Sequence, residues 1–169
     1  WGLLSYQYRM AAHYFMTDQA DLYLQRMETA HARTMELTPD SPGLLLVDAE
    51  SLQSQGNWLQ AEKLLEQLLD RIHNSFGANQ SAGLFAAKVG RSRAALGYFE
   101  AAATAEPLNQ IPVALMGAMQ AGLGDVEGGE RGVARGVEEV PGAERHRLAR
   151  RLLDPHSGAL VHKVALEEG

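Results

Sequence analysis

Apolar side chains recur at helical spacing along most of this chain, as at Leu64, Leu65, Leu68 and Leu69. The runs are interrupted at regular places. Gly56, Gly90 and Gly124 stand 34 residues apart, and Pro39, Pro107 and Pro141 share one phase of that period, with His73 in the remaining place. Small residues precede each glycine in phase at Ala49, Gly83 and Gly117, and follow it at Ala61, Ala95 and Gly129. Large apolar residues then fall in phase at Leu65, Phe99 and Val133. A glycine in mid-repeat closes one helix by adopting positive φ, and a proline at the end stops the next. Each period therefore predicts an antiparallel helix pair, with backbones approaching at the small residues and a side chain filling the gap at the large one. The stretch "AALGYFEAAATAEPLN", residues 94 to 109, reads as the second helix of such a pair. One pair cannot bury its faces alone, so neighbouring pairs must stack.

These residues resemble the tetratricopeptide repeat family, whose unit has the same length and asks for small and aromatic residues at fixed places. Residues 76–109 match through Gly83, Gly90, Ala95, Phe99, Ala102 and Pro107. Residues 110–143 match through Gly117, Gly124, Val133 and Pro141, with Gly129 and Gly136 in place of alanines. Residues 42–75 match through Ala49, Leu52, Gly56, Trp58, Ala61 and Leu65, with His73 in place of the closing proline, which suggests a looser exit into "NSFGANQ". The first unit, residues 4–41, is irregular: its second helix ends at "MELTPD", and its first fits with Ala11 and Tyr14 in the small and aromatic places if extra residues are admitted near "TDQA". The resemblance implies an all-α fold, a right-handed α-solenoid of about four antiparallel helix pairs. A C-terminal capping helix over 142–153 would close it, with Leu148, Leu152 and Leu153 covering the last pair. Residues 154–169 read as a tail or the start of a further helix.

The fourth unit is expected to differ in stability. Its second helix carries Gly128, Gly129, Gly132 and Gly136, and each interior glycine costs about 0.5–1 kcal/mol relative to alanine. Either close helix packing offsets that cost or the unit frays.

Composition narrows the function classes. The chain has 169 residues, 46% of them hydrophobic, enough for one domain with a core. The net charge of −6 argues against a nucleic-acid footprint. Zero cysteines remove disulfides, thiolate metal sites and thiol nucleophiles. No apolar run reaches the roughly 20 residues of a membrane span. A cytoplasmic location is expected, with the periplasm as the alternative. The start at Trp1 suggests a processed product or a segment of a longer protein.

Candidate chemistry is sparse. "GLGDVEGG", residues 122–129, is glycine-rich but follows the helical run "VALMGAMQA" rather than a strand, so it reads as a repeat turn and not as a phosphate loop. His13, His31, His73, His146, His156 and His162 show no metal spacing. There is no G-x-S-x-G turn, and Ser81, Ser92 and Ser157 read as capping or loop residues. Glu138 and Glu139 read as part of a solvated helix face. Arg145, Arg147, Arg150 and Arg151 are offset by Glu138, Glu139 and Glu144. No enzyme activity, cofactor or metal is expected.

The resemblance implies instead a concave groove lined by the first helix of each pair. Carried over, the lining is Leu46, Glu50, Gln53, Gln80, Leu84, Ala87, Lys88, Ala114 and Ala118, joined by Tyr8, Ala12 and Phe15 from the irregular unit. Such a wall takes an extended peptide or a partner protein's helix through apolar anchors and amide contacts. The basic clamp by which related repeats hold chaperone C-termini is missing: its places hold Leu46, Glu50, Leu84 and Ala114, with only Lys88 basic. The leading expectation is a non-enzymatic binding scaffold. The alternatives are a regulatory or sensor segment of a longer protein, such as a bacterial transcription regulator, and a self-assembly module in which an uncapped end stacks on a second copy. Replacing Leu84 and Gln80 together by glutamate is expected to abolish partner capture with helical content intact.

Overall fold

The computed structural model describes residue 8, residues 20–138, and residues 149, 150, 152 and 153. Among the described residues all regular structure is helical: α1 (Ala20–Leu37), α2 (Pro42–Ser54), α3 (Trp58–Ile72), α4 (Phe76–Lys88), α5 (Ser92–Ala105), α6 (Ile111–Gly122) and α7 (Val126–Gly136). The chain divides into two compact units, Trp1–His73 and Asn74–Gly169. In the first, α2 and α3 pack as a hairpin and α1 lies against α2. In the second, α4 pairs with α5, α6 pairs with α7, and α5 packs on α6, which joins the two hairpins.

The same turn closes the first helix of each hairpin. Gly56, Gly90 and Gly124 have φ of 79°, 81° and 99°. After α2, the Gly56 amide donates to Gln53 O at 3.1 Å and the Asn57 amide to Leu52 O at 2.8 Å. After α4, Gly90 donates to Ala87 O at 3.1 Å and Arg91 to Ala86 O at 2.8 Å; after α6, Gly124 donates to Ala121 O at 3.1 Å and Asp125 to Gln120 O at 3.0 Å. This nested pair of bonds is the Schellman arrangement, which satisfies orphan carbonyls at the helix end and needs a left-handed residue to form. Only glycine adopts that conformation without Cβ strain. The following helices also start in phase, with Ala61, Ala95 and Gly129 donating to the carbonyls of Asn57, Arg91 and Asp125.

Packing follows the same period. Ala49, Gly83 and Gly117 are buried, as are Ala61, Ala95 and Gly129, and then Leu65, Phe99 and Val133. Leu68, Ala102 and Gly136 form a further buried set. The small residues are where atoms have no room to spare. A Cβ on Gly83 would lie 2.5 Å from Phe99 Cε1, so the phenyl ring of α5 rests directly on the α4 backbone. The α6–α7 hairpin is tighter still. A Cβ on Gly132 would lie 2.8 Å from Gly117 Cα, and one on Gly136 would meet the backbone of Ala114. Close helix packing therefore accompanies Gly129, Gly132 and Gly136 of α7, whereas a Cβ on Gly128 would meet the capping Asp125 side chain.

The exit at His73 passes through a short turn over residues 73–75, where the two compact units divide, and "NSFGANQ" is helical from Phe76. Two local expectations are corrected. Ser81 is not at a helix start but inside α4, where it is buried. Ser92 opens α5, yet the capping position is Arg91 and no side chain caps that end. Among the caps of α2 to α7, a side-chain bond is made at Asp125, whose Oδ1 accepts from the Gly128 amide at 2.9 Å. The "MELTPD" boundary holds, with α1 ending at Leu37. Ala11, Ala12, Tyr14 and most of the expected capping helix lie outside the described residues; of that helix, residues 149, 150, 152 and 153 are helical, with Leu152 buried.

Candidate functional site

The positions expected to line a groove sit on the first helices of the hairpins. In the first unit α2 carries Leu46, Glu50 and Gln53; in the second α4 carries Gln80, Leu84, Ala87 and Lys88, and α6 carries Ala114 and Ala118. All of these except Lys88 are buried. Ala114 has its burial explained within its own hairpin, because the α7 backbone at Gly136 comes up against it. Tyr8 packs on α1, its ring 6.2 Å from that of Tyr23 and the Arg26 guanidinium 5.9 Å from its centroid. Phe15 lies outside the described residues.

The buried status changes what these residues can do. Leu84 and Gln80 are 4% and 5% exposed, so glutamates at both would bury two carboxylates, at a cost far beyond a surface change. Loss of helical content is the expected result, which corrects the expectation that this double replacement would act on binding alone. Glu50, Gln53 and Lys88 each already have an interaction partner. Lys88 is in the last turn of α4, where a cation complements the helix dipole.

Polar burial on α4 is uneven. Asn79 Nδ2 donates to Ser75 O at 2.9 Å, one turn back. The neighbouring Gln80 Oε1 is enclosed and has no donor, although buried polar atoms are nearly always paired. In the other two hairpins the equivalent places hold apolar Leu46 and Ala114.

A second polar intrusion was missed by sequence reasoning. One period upstream of Leu65, in the slot that holds Leu65, Phe99 and Val133, stands His31 on α1. Its Nε2 lies 3.5 Å from Asp48 Oδ1 on α2, and its Nδ1 is buried with no partner. Extending the phase by one period would have found it; the irregular first unit masked the alignment.

Among the described residues no three or more histidine, aspartate or glutamate side chains are grouped to hold a metal, and no helix is long and apolar enough to cross a membrane. The exposed apolar residues of the second unit cluster in sequence at the turns: Val89, Leu123 and Val126 at the hairpin tips, and Leu108 and Ile111 between α5 and α6. No family model, curated protein or solved structure matches the chain.

Proposed function

We propose that this chain is a non-enzymatic interaction module of the tetratricopeptide-like kind, an α-solenoid whose stacked hairpins hold a partner protein or an extended peptide. The observation that carries the reading is the threefold recurrence of one turn, at Gly56, Gly90 and Gly124. Repetition of a single supersecondary unit builds surface in one direction, and such arrays work by presenting that surface to partners. The contact face belongs to the first helices of the hairpins, with the buried small and apolar residues as its backing. In the second unit the partner meets Lys88 and the adjoining Val89, which stand exposed at the end of α4.

The test is selection of peptides on the intact chain from a random-peptide display library, followed by titration of the enriched peptide and hydrogen exchange on the complex. The expected result is saturable binding with added protection in α4 and α6. Selection that enriches nothing, or protection confined to α5 and α7, overturns the reading.

A further inference from the structure

We draw no further inference here: the strongest candidate, the buried Gln80 carboxamide on α4 whose Oε1 has no donor, belongs to the face already described.

Discussion

Gly117 and Gly129 hold each other's place: a Cβ on either would lie 2.7 Å from the carbonyl oxygen of the other. The relationship is reciprocal, so α6 and α7 approach along two glycines rather than one. Alanine at Gly117 would also meet Val133 N at 2.5 Å. The obstacles are backbone atoms, which cannot swing aside. Gly117→Ala and Gly129→Ala are each expected to destabilise the second unit by about 1–3 kcal/mol through overpacking. Gly97 supplies the contrast, since it is helical and exposed with nothing within 4 Å of an added Cβ. There alanine should stabilise by about 0.5–1 kcal/mol. Urea unfolding of the three variants checks the pair of signs; a stabilising Gly117→Ala would refute the close approach.

The turn glycines fail for a different reason. Gly90 has open space around its missing Cβ but a φ of +81°. Gly90→Ala is expected to cost about 1–2 kcal/mol from left-handed strain alone, and Gly90→Asn less, because asparagine tolerates that conformation. Equal losses for the two variants in thermal unfolding would point to a clash instead of strain.

These glycines explain how much of the fold was legible beforehand. A Schellman turn is a local event, so its chemical requirement appears in the sequence at Gly56, Gly90 and Gly124 whatever surrounds it. The small and large positions at Gly83 and Phe99 were legible for the same reason, since both lie within one hairpin. Burial on α4 was not. Its residues from Gly77 to Ala87 are all buried, whereas periodicity assigns a helix one inner and one outer face. Small residues such as Ala86 and Ser81 carry little hydropathy signal either way, so what packs around α4 decides their environment, and local pattern does not. Leu84 and Ala87 lie on the first helix of their hairpin, as the repeat phase predicts, but their enclosure could not be read from spacing.

Hydrogen exchange should rank the helices of the second unit. Helix α7 holds four glycines in 11 residues, whereas α5 is alanine-rich over 14. Tight packing against α6 secures one face of α7 but does not remove the added backbone entropy of its glycines. The amides of α7 are expected to exchange before those of α5. Slower exchange in α7 would mean that packing outweighs propensity there.

His31 offers a stabilising change in the first unit. Leucine at 31 would match Leu65, Phe99 and Val133, and it would remove the enclosed Nδ1. Leaving such an atom unpaired costs about 1–3 kcal/mol. The lost contact to Asp48 is smaller: the aspartate side chain is 50% exposed, and pairs at that exposure contribute at most about 1 kcal/mol. His31→Leu should therefore raise the unfolding midpoint, while Asp48→Asn leaves it nearly unchanged. A lower midpoint for His31→Leu would show that the imidazole is satisfied in solution.

Gln80 separates stability from binding on the proposed face. Its side chain is 5% exposed and Oε1 lacks a donor, so Gln80→Leu removes an unpaired buried polar atom with little change in volume. An increase on the order of 1 kcal/mol is expected from that term. The Leu84→Glu, Gln80→Glu double variant should do the opposite and lose cooperative unfolding, because neither carboxylate has a route to water without opening α4. Lys88→Glu reverses the charge at an exposed position in the last turn of α4, where Lys88 also has a partner, so a loss of about 1 kcal/mol is expected from the helix dipole and that contact, with the fold retained. If the proposed face binds peptide, Lys88→Glu alters the affinity of a selected peptide with the fold intact. The same variant with unchanged affinity, alongside a folded double glutamate variant, would place the contact surface away from α4.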